Sequence, residues 1–304
     1  MLIVDSAGRP DDNVRLGIVL VATFALVIPI VGAAVKLLGQ TVAIPQITWT
    51  RFMIQVIIIS FVLALTTREL ARPLPRPLWP LVLRGAAITL GSGLFYAALA
   101  VLPMAEATAI LFIQPLILTT LAAIFLSESV GLVRLLAVGA GLVGAIIITG
   151  PNFSTLGWAA LLPIGAAFCF AAASLITRAW AATAGALMFQ FITAVTAVTI
   201  LSAILSLGTA AGIDQLTPAW PSLPEIYLLL FAGIGSTITN LMLVQGFRIA
   251  PPSALAPFFY LEIVSATVIG AAVFGHIPGP ATAFGAAMVI GAGLLVWWRE
   301  SRSG

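Results

Sequence analysis

Glu262 stands near the middle of a long apolar run, 253–275, and Gln114 stands 148 residues earlier in another, 104–126. In lipid an ionised carboxylate is costly unless it is paired, solvated or protonated. At that depth Glu262 could carry a proton or hold a cationic group in a central cavity; its plainer use is as a protonated acid hydrogen-bonded between helices. Gln114 has the same two readings, and an interhelical hydrogen bond of its kind is worth only about 0.6–2 kcal/mol. Arg51 lies about seven residues, roughly 10 Å along a helix, into the run 44–66. Its guanidinium could receive a carboxylate or phosphate as a planar fork, or pair with Glu106 in the fourth run. Tyr96, Phe258, Phe259 and Tyr260 could wall a cavity, where rings stack on a flat ligand and a tyrosine hydroxyl orients it. Otherwise they pack helices or meet lipid. Asn240 and Gln245 are further polar positions in the run 226–247. Lys36 is expected to extend from the first run to the membrane interface, as long basic side chains do. Pro115 and Pro257 each remove a backbone donor and can bend a helix, and breaks in matching halves point to carrier sites. The chain holds one cysteine, Cys169, and one histidine, His276, fewer ligands than structural zinc uses, so no metal is expected. No cofactor and no catalytic residue is implied.

The elements that position these residues are set by their solvent. Of 304 residues, 61% are hydrophobic and 8% charged, against about 25% charged in soluble domains. The mean hydropathy is +1.18, and lipid is the expected surrounding. The net charge of +3 does not point to nucleic acid, because the basic residues stand singly at the ends of apolar runs. A bilayer core about 30 Å thick takes about 20 residues of helix. On that basis the runs 16–38, 44–66, 79–101, 104–126 and 131–150 predict five transmembrane helices, and 157–177, 184–206, 226–247, 253–275 and 279–298 predict five more. The residues before 16 lack the order of a cleaved signal peptide, so the first run is expected to be a retained helix.

Lysines and arginines collect on the cytoplasmic side of membrane proteins. With the N-terminus inside, eleven of the thirteen basic residues fall there, Lys36 and Arg51 being the exceptions. Both termini are therefore expected in the cytoplasm, as a tail over 1–15 and a tail over 299–304. Between them lie two units, 16–150 and 157–298, which show a weak internal repeat. At a constant shift of 148, Gly85 meets Gly233, Ala105 meets Ser253, and Ala123 meets Ala271. Five helices is an odd number, so the second unit enters the membrane in the opposite sense to the first. Such inverted repeats are typical of carriers that alternate access about a site at the repeat interface. The glycine-rich fifth and tenth runs could close-pack within one chain or across a homodimer.

Leu102-Pro-Met-Ala-Glu-Ala-Thr-Ala109, Gln114-Pro-Leu116 and Leu126-Ser-Glu128 resemble the fourth-helix pattern of ten-helix EamA-type members of the drug/metabolite transporter superfamily. In the second half Glu262-Ile263 stands where that family often has Glu-Pro, and His276 replaces its terminal Glu. Val35-Lys-Leu-Leu-Gly39 followed by Ile44-Pro-Gln-Ile-Thr-Trp-Thr-Arg51 is similar to the subgroup containing riboflavin and S-adenosylmethionine uptake carriers. The resemblance implies an all-α, multi-pass protein of the bacterial inner membrane that moves a small metabolite by alternating access. Within it, Glu262 would couple a proton or recognise a cation, and Arg51 and the aromatic residues would orient a flat or amphipathic substrate. Amino-acid export is the runner-up. An intramembrane enzyme acting on lipid-linked substrates is the rival from another class, but it needs clustered catalytic groups that the sequence does not offer.

Overall fold

Prolines and glycines punctuate a chain whose apolar composition otherwise favours unbroken helix. The computed structural model describes residues 14–65, 77–126, 157–180, 185–249, 258–259 and 261–303, with Leu255 and isolated positions between 136 and 147. All regular structure among the described residues is helical. Helix α1 spans Val14–Leu38, α2 Ile44–Leu65, α3 Trp79–Val101, α4 Met104–Leu111 and α5 Gln114–Leu126. A 3-10 turn over Gly157–Leu161 leads into α6, Leu162–Trp180; α7 is Ala186–Ala210, α8 Leu223–Ile249, α9 Leu261–Phe274 and α10 Pro280–Ser303. The fifth predicted span, 131–150, falls mostly outside the described residues, and α10 runs five residues past the predicted end at 298.

Five segments, Arg15–Leu38, Ile44–Leu65, Trp79–Val101, Leu187–Ala210 and Leu223–Gly246, are long and apolar enough to cross a membrane. Their large apolar side chains stand exposed along the helices, Ile57 at 61% and Leu90 at 58%, while Gln55, Thr89, Thr193 and Thr237 are buried. Such a surface is unsuited to water and suited to lipid.

Two breaks follow from proline. Pro103 has no N–H to give to Leu99, and it drives the preceding residue out of the helical region. Leu102 is accordingly extended, at φ −101° and ψ 153°, and α3 ends there. Pro115 likewise cannot donate to Leu111. The predicted fourth span therefore divides into α4 and α5, joined by a turn in which Ile113 N–H donates to Ile110 O at 3.1 Å. Within the predicted ninth span, 253–275, α9 runs from Leu261; of the residues before it Leu255 is helical and Phe258 and Phe259 are in a 3-10 turn.

Helix α1 packs on α8 and α9, and α6 packs on α3 and on α4–α5. Helices α2 and α7 run against each other, α2 also meeting α8 and α3 meeting α7. Exchanging α1 with α6, α2 with α7, α3 with α8 and α4–α5 with α9 leaves these pairings unchanged. The glycines aligned at the 148-residue shift sit at corresponding crossings. A Cβ on Gly85 of α3 would lie 2.8 Å from Thr196 Cβ on α7, and one on Gly233 of α8 would lie 2.4 Å from Ile54 Cδ1 on α2. The largest core cluster joins Val31 and Leu38 of α1, Ile47 of α2, Tyr96 and Leu99 of α3, Met104 of α4 and Leu229 of α8.

The connection after α7 has structure of its own, as its length in the sequence suggested. It holds a 3-10 turn at Asp214–Leu216 and is clipped to α2 by Gln46. The Gln46 amide donates to Ala219 O at 2.7 Å and accepts from Ala219 N–H at 3.1 Å. Ser222 and Glu225 then open α8 as a capping box, the Glu225 carboxylate accepting from Ser222 N–H at 2.6 Å.

Candidate functional site

Arg51 projects from α2 into the bundle and is only 8% exposed. Its Nη1 donates to Ser92 Oγ on α3 at 3.3 Å. The guanidinium carbon lies 4.5 Å from the centre of the Phe52 ring and 5.7 Å from that of Tyr96. Nε is buried without a hydrogen-bond partner. A charged group in a helix centre costs about 2.5–3.5 kcal/mol even on the mildest insertion scale. Ring contacts worth about 0.5–2 kcal/mol and one long hydrogen bond to a neutral hydroxyl offset only part of that. The arrangement is a cation with its flat faces covered and its bonding capacity unfilled.

Ser92 and Tyr96 are four residues apart on α3, hence on one helical face, and both are buried. That spacing is the signal by which Ser92 was readable from the sequence, and it was missed. The expected alternative partner of Arg51, Glu106, instead accepts from Thr282 Oγ1 of α10 at 3.2 Å. Below Arg51 on α2, Gln55 faces Gln190 of α7, its amide 3.5 Å from both the Gln190 side-chain and backbone oxygens.

Gln114 opens α5 immediately after the break and reaches Ser174 Oγ of α6 at 3.5 Å. Glu262 is half-buried in the first turn of α9, and its carboxylate has no hydrogen-bond or ion-pair partner among the described residues. The two residues stand at positions 148 apart, Gln114 directly after the turn at Phe112 and Ile113. Helix α9 is tied to α1 by Ser265, whose hydroxyl donates to Leu26 O at 2.8 Å. Asn240 spends its amide on Ser236 O, one turn back in its own helix, at 2.8 Å. Phe259 meets Phe24 of α1 edge to face, with centroids 6.0 Å apart. The structure thus unites Arg51 with Tyr96 and leaves Gln114, Asn240 and Phe259 each with other neighbours. Pro115 lies in the first turn of α5; Tyr260 and Pro257 lie outside the described residues.

Two further cations, the buried Lys36 and the half-buried Arg84, have roles the sequence did not suggest. Lys36 does not reach for the interface: it is 6% exposed, and its Nζ donates to Leu99 O and Leu102 O, each at 2.6 Å. It supplies at the end of α3 the donor that Pro103 lacks, and its Nζ lies 5.4 Å from the centre of the Phe274 ring. Arg84 of α3 bridges to α6 and α7: Nε donates to Thr177 Oγ1 at 2.6 Å and Nη1 to Phe189 O at 3.4 Å and to Thr193 Oγ1.

Residues 15–150 match the EamA-like transporter family. The chain is 31% identical to the riboflavin transporter of Rhizobium johnstonii over 224 residues, 74% of this chain and 72% of that one. It is 27% identical to the S-adenosylmethionine uptake transporter of Rickettsia bellii over 271 residues, 88% of each chain. The riboflavin transporter of Brucella anthropi is 27% identical over 277 residues, 89% of this chain and 94% of that one. A protein of known crystal structure superposes with a TM-score of 0.62 at 16% identity, covering 95% of this chain and 97% of the other, a likeness of fold alone.

Proposed function

Because the chain belongs to the EamA-like transporter family, in the subgroup of riboflavin and S-adenosylmethionine carriers, we propose that it carries a flat or amphipathic metabolite of that kind across the bacterial inner membrane by alternating access. It is a multi-pass membrane transporter of small metabolites and not an enzyme. The single observation that carries the proposal is the exchange-invariant helix pairing, with Gly85 and Gly233, 148 residues apart, at corresponding crossings. Carriers of inverted architecture hold their substrates at the interface of the two halves. That correspondence supports the inverted repeat and ten spans, and the placement of the basic residues supports cytoplasmic termini.

In this reading the halves rock about Arg51, Tyr96, Gln114 and Glu262. Arg51 and Tyr96 orient the substrate, and Glu262 takes up a proton or faces a cationic group. Asn240, Phe259 and Tyr260 complete the lining, and Pro115 and Pro257 serve as the points at which helix segments move. The test is uptake of radiolabelled riboflavin and S-adenosylmethionine into proteoliposomes, with and without a pH gradient, for the wild type and Glu262→Gln. Accumulation of either compound with a pH response lost in the variant is the expected result. Normal flux and unchanged pH dependence in Glu262→Gln would remove that residue from the mechanism. No movement of either compound in either direction would sink the substrate assignment, and movement of amino acids instead would make the protein an exporter of that class.

A further inference from the structure

Arg51 has an unusual deficit for a residue so deep in a protein. A guanidinium offers two edges for side-by-side hydrogen bonding, and the edge formed by Nε and Nη2 fits a carboxylate as a planar fork. The neighbours of Arg51 occupy the rest of it: Ser92 takes Nη1, and Phe52 and Tyr96 lie against the guanidinium. The remaining edge carries the buried, unpartnered Nε. The chain holds ten acidic residues, of which Glu106 and Glu262 lie within predicted spans. Glu106 accepts from Thr282, and Glu262 sits on α9, which packs on α1 and α4. Among the described residues no acidic side chain is bonded to this edge.

We infer that Arg51 is the specificity-determining residue of the carrier and that its unfilled Nε–Nη2 edge receives the carboxylate of an amino-acid-like substrate. The inference rests on the transport reading above and narrows it: the substrate pairs a carboxylate with a flat or apolar body that lies on Tyr96. A carboxylate completes what the site lacks, charge and two in-plane acceptors together, whereas a neutral flat ligand leaves the cation uncompensated. Lysine cannot substitute, having a point charge and no planar fork.

The experiment is equilibrium binding to the detergent-purified full-length chain, using three probes: S-adenosylmethionine, its decarboxylated analogue and riboflavin. Wild type and the variants Arg51→Gln and Arg51→Lys are compared. Removing the carboxylate from the ligand should weaken binding about 30-fold or more, the usual effect of losing one member of a buried charge pair. Arg51→Gln should weaken S-adenosylmethionine by a similar factor and should not weaken the analogue to that extent. Arg51→Lys should recover only part of the loss. Saturable binding of the analogue shows that the variant is folded; if Arg51→Gln cannot be purified, the two ligands on the wild type still decide. Equal affinity of the two adenosyl compounds for the wild type overturns the inference, as does a variant that weakens both equally. A chain that binds riboflavin alone also overturns it and leaves the carrier reading standing. Binding of none of the three, together with no flux, overturns both.

Discussion

Replacing Lys36 by Met tests whether a buried lysine can stand in for a missing backbone donor. In the folded chain its ammonium supplies hydrogen bonds to Leu99 O and Leu102 O, residues that are 1% and 0% exposed. Methionine fills nearly the same volume but donates nothing, so two buried carbonyls lose their charged partner. An unsatisfied buried acceptor costs about 1–3 kcal/mol. Against this, the variant no longer has to bury a charge, which is worth several kcal/mol in the opposite direction when no partner exists, and less when the charge is well bonded. With both carbonyls at 2.6 Å, we expect the loss to prevail and stability to fall by about 2–4 kcal/mol. A lysine that merely reached the interface would cost under about 0.5 kcal/mol on the same change. The assay is equilibrium unfolding in mixed micelles, read by tryptophan fluorescence. The decisive arm is a double-mutant cycle with Pro103→Ala, which restores an N–H that can bond Leu99 O. Lys36→Met should then cost about 0.5–1.5 kcal/mol less in the Pro103→Ala background than in the wild type. Strict additivity of the two changes would refute the reasoning.

Arg84→Met removes the donor that joins α3 to Thr177, Thr193 and Phe189; a loss of about 2–3 kcal/mol is expected in the same unfolding assay, with Thr177→Val giving less than half of it. Gly85→Val and Gly233→Val each place methyl groups where even a Cβ is crowded, 2.8 Å from Thr196 and 2.4 Å from Ile54. Each should cost about 1–3 kcal/mol, measured by thermal unfolding, and an effect confined to one of them would weaken the correspondence of the halves. Gln46→Ala frees the backbone of Ala219, so cleavage by a soluble protease within 211–222 should accelerate several-fold while the helices stay intact.

The positions of the spans were legible because lipid demands apolar runs of a set length, and the breaks at Pro103 and Pro115 because proline acts through its own backbone. Helix rotation was not legible. A helix such as α1, apolar nearly all round, has no polar stripe to say which way Lys36 faces, so its inward turn onto Leu99 and Leu102 had no sequence mark. Arg51 was recognisable as a deep cation from its distance into the second run. Its neighbour Ser92 was concealed among small residues of α3 that differ little in hydropathy. The shared face of Arg51 and Tyr96 depends on how α2 and α3 pack, which single-helix patterns do not contain. Glu262 and Gln114 were paired by the repeat shift alone, and the crossings at Gly85 and Gly233 give that shift a physical counterpart.

At the 148-residue shift Arg84 corresponds to Ala232, a buried residue of α8 whose methyl side chain can make no hydrogen bond. Two halves that were identical would make the states open to either side equal in free energy, and the carrier would rest in each half of the time. Here one end of the bundle, where α3 and α7 begin and α6 ends, is fastened by the Arg84 guanidinium, while the other end is held by the Gln46 clip to Ala219 and by Lys36 on Leu99 O and Leu102 O. For a carrier that rocks as proposed, a difference of only about 1.4 kcal/mol between the two closures shifts the resting populations tenfold. The idle protein would then wait with its more strongly fastened end shut, its mouth turned to the other side.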